Sequence, residues 1–540
     1  MPFASVPRGT MKTMTTLSAP MQKLLEAFRF WREAPKVEEA PKIHVDEIAA
    51  KVAAFYEKVR NIVDYHDEHL LRKRFIVRTL KRRLMMAPGE DFAEALLKEI
   101  IRAGHLPNDA IPQGKIVEVQ ALIDGMRVVT DRLRGQNPRN AKMLEAWLIE
   151  IAANAIEENL VPAAGENMLF NLAFATMRDD IAVSGAALTE TDIGLALFIA
   201  LQRTLFYVDD DQLGYRLFAF IAPQWKMLPP EESERVAMEL PSLKSRIDAA
   251  ITSRHLASFE KLCNRYNTAF FLIGDIVEEY KTVDAFTGLL QDEAALRSAI
   301  ERMYARRFER ERRRLHRLAF FSVLSFLLSK IAVALAVEIP IETYLTGRFS
   351  LLQTTLNVLF PPFLMLLIVA GIRLPGKGNI AQATGLAVDM VYEEKPRRYF
   401  IVIPKRHGII GAAVIYGAYL ALFAFSFYVL HRALTAMQFN IANIVVFALF
   451  VSLVLAAGVK IKNRARELSV AAERPTVASF ILDLFIFPFI TVGQWIISGL
   501  AKFNVLVLAM NAVIELPLQI FVEFLENLRG FIESKKDQLR

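Results

Sequence analysis

The sequence predicts an all-α fold: an N-terminal soluble helical array or bundle, then a polytopic transmembrane helical domain of four to six spans. Three observations predict it. Hydrophobic residues make up 54% of the 540-residue chain while charged residues still reach 23%, so the apolar residues must be concentrated. They are, because nearly all the long apolar runs lie from Leu318 onward. The first 317 residues instead space their apolar positions as amphipathic helices do, with no useful two-residue alternation. After Leu318 the apolar runs approach the about 20 residues that a helix needs to cross a bilayer. The organisation read from this is a disordered or short amphipathic lead-in over 1–42 and a cytoplasmic helical domain over 43–317. Transmembrane helices with basic cytoplasmic loops occupy 318–475, and two apolar-amphipathic helices with a basic tail occupy 476–540.

Within the first part, Met1 to Pro20 lack the apolar core of a secretory signal. Gln22 to Glu33 has amphipathic spacing and ends before Pro35, a short helix for a membrane surface or for docking on the domain. A long pattern from Val45 to Met86 becomes strongly basic at Arg72, Lys73, Arg74, Arg78, Lys81, Arg82 and Arg83. Helices follow over 91–103, 115–133, 139–159 and 168–178, punctuated by Gly, Pro and Asn clusters. Thr189 to Asp192 forms a capping box for the apolar helix through Phe206. Asp209, Asp210 and Asp211 lack the glycine and terminal glutamate of a calcium loop and read as a helix N-terminal charge cluster. Pro229-Pro230 opens another helix. Long helices over 252–280 and 293–317 complete this half.

Spans are expected over 318–337, 349–372, 408–430 and 439–458. The loops between them alternate in charge. The 338–348 and 431–438 connections hold one arginine each, whereas 373–407 and 459–475 are rich in Lys and Arg. By the positive-inside rule the N-terminus and the basic loops are cytoplasmic. The segments 476–498 and 503–528 are apolar with a polar stripe, and stand either as spans five and six or as interfacial helices. Both alternatives leave the C-terminus cytoplasmic. Tyr399 to Ile403 reads as a short strand.

Candidate functional residues follow from what the membrane interior penalises. An ionisable group there is expensive and marks a functional site by default. Lys330 lies mid-span, with Asp483, Glu515 and Glu338 as possible partners, and Glu523 extends the acidic stripe. The alternative is a shifted span whose Lys330 snorkels to the headgroups. Pro361 and Pro362 break the backbone hydrogen bonding of the second span. Arg306, Arg307, Arg310, Arg312, Arg313 and Arg314 precede the first span as a candidate anionic-lipid headgroup site. Ala413, Gly417 and Ala421 form a small-residue ladder suited to helix packing. His66 and His69 have metal-ligand spacing without a third ligand. The single cysteine, Cys263, reads as a buried apolar residue.

No phosphate loop, dinucleotide fingerprint, nucleophile elbow or kinase signature is present. No cofactor, no metal and no enzymatic activity are therefore expected. The formal charge of +7 favours anionic partners, and in a membrane protein the bilayer and its anionic headgroups come before nucleic acid, which is not expected. The runs from Asp67 to Leu84 and from Phe503 to Glu526 resemble a group of uncharacterised multi-pass membrane proteins of small-genome, uncultivated bacteria. The resemblance implies a bacterial plasma membrane and carries no site residue. The expected function is a membrane-embedded interaction or scaffold protein with unknown protein partners. The alternative is an ion or solute channel or transporter with a cytoplasmic regulatory domain.

Overall fold

The structure is a computed structural model that describes residues 16–33, 41–45, 68–86, 90–136, 138–222, 230–340, 351–372, 377–392, 398–404, 408–465 and 477–502. In chain order the elements are α1 (Ala19–Glu33), α2 (Glu68–Met86), α3 (Ala93–Arg102), α4 (Gly114–Gln136), α5 (Pro138–Leu160), α6 (Ala164–Arg178) and β1 (Ile181–Ser184). Next come α7 (Glu190–Leu205), α8 (Asp210–Ile221), α9 (Pro230–Ile251), α10 (Leu256–Glu279), α11 (Val283–Gln291) and α12 (Glu293–Val333), which a π-helical turn over Ala334–Glu338 continues. The last are α13 (Leu351–Ala370), α14 (Lys377–Tyr392), β2 (Tyr399–Val402), α15 (Ile409–Ala436), α16 (Ile441–Ala465) and α17 (Val477–Lys502). The all-α class holds, with one two-stranded exception. The chain forms two compact units. One comprises the described residues within 1–32, 171–189 and 261–503, the other those within 33–170 and 190–260.

The second of these units is a helical array centred on α5. Ile151, Ala152, Ala153, Ala155 and Ile156 are fully buried, and a helix apolar nearly all round belongs in a core. Around it pack α2, α4 and α8, with α9 against α4 and α8. The expected charge cluster does cap a helix: Asp209 has extended backbone, and its carboxylate accepts the Gln212 N–H at 2.7 Å to start α8. Of the long pattern expected from Val45, the described part begins at Glu68.

In the other unit, α1 docks on its neighbours, the second of the two expected alternatives. Met21, Leu24 and Phe28 are buried, and Phe28 meets the Phe286 ring at 4.6 Å. The Ser18 N–H and hydroxyl donate to the carbonyls of Val391 and Met390, both at 2.8 Å. Those carbonyls belong to α14, a helix that lies where the sequence reading placed a basic connecting segment. Basic residues at both ends masked an apolar repeat, and Ala383, Ala387, Val388 and Val391 form its buried face. The described part of 373–407 is therefore a docked helix and a strand more than a loop. β1 and β2 pair in parallel, Ile181 against Tyr399 through Ser184 against Val402. β1 is a strand the sequence reading missed, because four residues are too few to display an alternation. Gly185 ends it at φ +93°, and a Cβ there would meet the Ile403 carbonyl oxygen, so only glycine suits the position.

α12 runs 41 residues, about 60 Å at the helical rise, carrying the basic stretch and the first apolar span as one rod. Asp292 caps it by accepting the N–H groups of Ala294 and Ala295. Five helices among the described residues are long and apolar enough to cross a membrane: Glu293–Ala336, Gln353–Ala370, Ile409–Ala436, Ile441–Lys462 and Ser479–Gly499. They mark a membrane protein, and α17 is one of them. The sixth candidate, 503–528, lies outside the described residues. Of these helices α16 is the centre, with 56% of its apolar window buried against 6% for α15. Phe447, Val451 and Leu455 pack with Phe489 of α17 and with Leu364 and Ile368 of α13.

Candidate functional site

Lys330 is 0% exposed, a condition a cation tolerates only with a partner. The structure supplies it from the same rod: the Lys330 ammonium donates to Glu338, itself 2% exposed. The second carboxylate oxygen of Glu338 accepts from the Asn357 side-chain amide of α13 at 3.0 Å. On the other side the Lys330 Nζ stands 4.8 Å from the Phe450 ring centroid of α16, a cation–π contact strengthened by desolvation. Three helices thus meet on one ion pair.

The π-turn explains how two residues of one helix can pair so far apart. In an unbroken α-helix residues eight apart stand about 80° out of phase. A π-turn closes its hydrogen bonds one residue later and rotates less per residue. Five such residues between Val333 and Ile339 take up the excess and bring Glu338 onto the face of Lys330. The same place is where Pro361 and Pro362 act. Proline has no N–H to donate to the carbonyl four residues earlier, so Pro361 and Pro362 release the carbonyls of Asn357 and Val358. Both prolines are buried. The Asn357 side-chain oxygen is buried with no partner among the described residues. A carboxylate, an ammonium, a side-chain amide whose oxygen has no partner among the described residues, and two carbonyls that lose their i+4 donors are together a polar island in an apolar bundle.

Other sequence candidates are not part of it. Asp483 is exposed on α17. Glu515 and Glu523 lie outside the described residues, as does His66. No group of three His, Cys, Asp or Glu residues that could hold a metal occurs among the described residues. Cys263 is fully buried on α10. Of the basic stretch on α12, Arg307 makes two 2.8 Å bonds to Asp275 and lies over Phe271, while Arg306 pairs with Glu279 at 2.5 Å. Arg313 and Arg312 share Glu309, and Arg314 faces Glu311. Arg310, Arg312, Arg313 and Arg314 remain exposed. Ala413, Gly417 and Ala421 lie on exposed positions of α15.

A second site lies in the helical array centred on α5. One stretch of α2 brings Lys73, Arg74, Arg78 and Lys81 to a cleft of about 360 Å³ that Glu150, Asp209 and Asp211 also line. Much of the basic run is paired internally. Arg72 bonds Glu157 and the His105 carbonyl, Lys73 bonds Asp209 at 3.0 Å, and Arg82 and Arg83 share Glu99. Arg74 stays exposed. Burial pushes the Glu150 carboxyl above the usual carboxylate range against the pull of Lys81. Asp209 has two tasks, cap and counter-ion. Asp209→Ala is expected to destabilise the protein by roughly 2–3 kcal/mol, because it removes the cap and leaves Lys73 with only the distant Asp211. Asp209→Asn keeps the cap and should lose about half as much. Chemical denaturation with α-helical circular dichroism as the readout measures both.

Comparison with protein-family models, with curated proteins and with solved structures returns no match. The chemistry of the two sites therefore carries the functional argument.

Proposed function

We propose that this chain is a membrane-embedded interaction or scaffold protein without enzymatic activity, whose helical soluble array captures an acidic partner. The cleft on α2 carries this reading. It gathers Lys73, Arg74, Arg78 and Lys81, and Arg74 among them stays exposed. An acidic protein segment fits such a wall better than a duplex nucleic acid, because most neighbouring cations of α2 are already committed to Glu157, Asp209 and Glu99. The polar island in the membrane unit is closed and internally neutralised, which suits an anchor. The array lies on the cytoplasmic side of a bacterial plasma membrane in this proposal. The charge alternation of the loops supports that side, and the resemblance noted above supports a bacterial membrane.

A second reading, a channel or transporter, draws on a specific observation: π-turns recur at functional sites, and here one adjoins broken backbone at Asn357 and a buried ion pair. Two experiments separate the readings. A photoreactive residue at Arg74 should cross-link a partner in cells, and Arg78→Glu should abolish the cross-link. Proteoliposomes should show no ion or solute flux. Flux in the wild type that a folded Lys330→Leu variant lacks would overturn the scaffold reading in favour of transport.

A further inference from the structure

Where α12 turns from basic to apolar, its two sides have different fates. Leu315, Val323 and Phe326 pack with Met365 of α13 and with Val454 and Ile461 of α16. At about 100° of rotation per residue these three positions share one side of the helix. The opposite side carries Arg310, Arg313, Arg314 and Arg317, and steps of three, four and seven residues align them on one face. All four are exposed. The same face continues through Phe320, Phe321, Leu324 and Leu328, of which Phe320 is 65% and Phe321 60% exposed. One stripe thus runs from guanidinium groups to aromatic rings to aliphatic chains.

Three observations say what meets this stripe. First, α12 is one of the five span candidates, and only 17% of its apolar window is buried inside the protein. The outward apolar face of such a helix meets acyl chains. Second, the positive charge above it is poorly neutralised. Arg306 and Arg307 are committed to Glu279 and Asp275. Arg313 pairs with Glu309 at 3.1 Å and Arg314 faces Glu311 at 3.9 Å, and exposed pairs of this kind hold their members weakly. Arg310 and Arg317 have no carboxylate partner among the described residues. Third, every Lys-or-Arg position between Glu293 and Leu318 is arginine. Orientation in the membrane is served equally by lysine. Only the flat guanidinium fork takes a phosphate by two parallel hydrogen bonds.

We propose that this face of α12 binds one anionic phospholipid: Arg310, Arg313, Arg314 and Arg317 hold its phosphate, and its acyl chains lie along Phe320, Phe321, Leu324 and Leu328. The site rests on α12 spanning the membrane and does not involve the acidic partner of the α2 cleft. The test counts lipids retained by the detergent-solubilised full chain in native mass spectrometry, after addition of dioleoylphosphatidylglycerol or dioleoylphosphatidylcholine. The wild type should retain phosphatidylglycerol in preference to phosphatidylcholine. Arg→Gln at all four positions should remove one bound phosphatidylglycerol, with affinity lowered roughly tenfold or more, since each lost cation weakens attraction to anionic lipid. Arg→Lys at the same four positions keeps the charge and should still lose affinity, by a smaller factor. Phe321→Ser leaves every charge in place and should also weaken retention. The replaced side chains are exposed, so the variants should fold as the wild type does, which helical circular dichroism checks. Equal retention of the two lipids by the wild type overturns the anionic site. Retention by the lysine variant equal to that of the wild type overturns it in favour of a diffuse cationic surface. Displacement of the lipid by millimolar inorganic phosphate identifies a free-phosphate site and overturns the lipid. A chain that stays dispersed in buffer without detergent ends the membrane reading itself, a result separate from loss of the lipid.

Discussion

Replacing Lys330 by leucine is expected to destabilise the folded protein by about 3–5 kcal/mol, because it strands a buried carboxylate that only the Asn357 amide still addresses. Glu338→Leu should be at least as harmful, leaving an ammonium whose remaining compensation is the Phe450 ring. The double variant Lys330→Leu/Glu338→Leu should recover most of the loss. Both charges then leave together, and apolar side chains replace a pair whose desolvation had offset its attraction. Asn357→Leu should lose about 1–3 kcal/mol, since it removes a hydrogen bond to a charged group. The measurement is reversible unfolding of the detergent-solubilised protein on titration with a denaturing detergent. Two single losses that add in the double variant would mean that the residues act independently, contrary to a shared ion pair.

The same cluster shows how far a sequence can be read here. Lys330 was conspicuous because charge is rare in an apolar run, and its need for a carboxylate follows from desolvation alone. Which carboxylate it meets was open among Glu338, Asp483 and Glu515. The selection depends on a π-turn that rephases the helix over Ala334–Glu338, and nothing in the residues ALAVE announces one. Pro361 and Pro362 were equally visible, but their adjacency to Glu338 requires knowing that Asn357 faces it. In the array centred on α5 the helices were legible from apolar spacing, and Asp209 was legible as a cap because capping is local. α14 was hidden for the opposite reason. Its buried face is made of alanines and valines between two basic clusters, so its meaning depends on the partners Ser18, Tyr304 and Leu290 that it meets. The parallel pairing of β1 with β2 joins residues more than two hundred positions apart, and strands of four residues carry too little pattern to advertise it.

The other large effect is expected at Gly493. A glycine in the middle of a helix ordinarily loses to alanine by about 0.8–1 kcal/mol, so Gly→Ala should stabilise an exposed helical site. Gly499 and Gly417, with nothing within 4 Å of an added Cβ, should behave in that way, or neutrally where lipid replaces water. Gly493 should do the reverse. A Cβ there would run into the Ser452 carbonyl oxygen and the Ala456 methyl, both on α16, the most buried of the five span candidates. A backbone carbonyl cannot swing aside as a side chain can, so α17 must move away from α16. Phe489 would then be drawn from its seat against Phe447, Val451 and Leu455. Gly493→Ala is therefore expected to cost about 1–3 kcal/mol, the range for overpacking a filled core, and Gly493→Leu more. The sign separates the explanations: loss at 493 with gain or neutrality at 499 and 417 identifies close helix approach as the cause. Stabilisation at all three would mean that α16 and α17 do not touch at this point. Truncating the opposing Ala456 to glycine should restore part of the Gly493→Ala loss by relieving the methyl contact, and the carbonyl clash should keep the remainder.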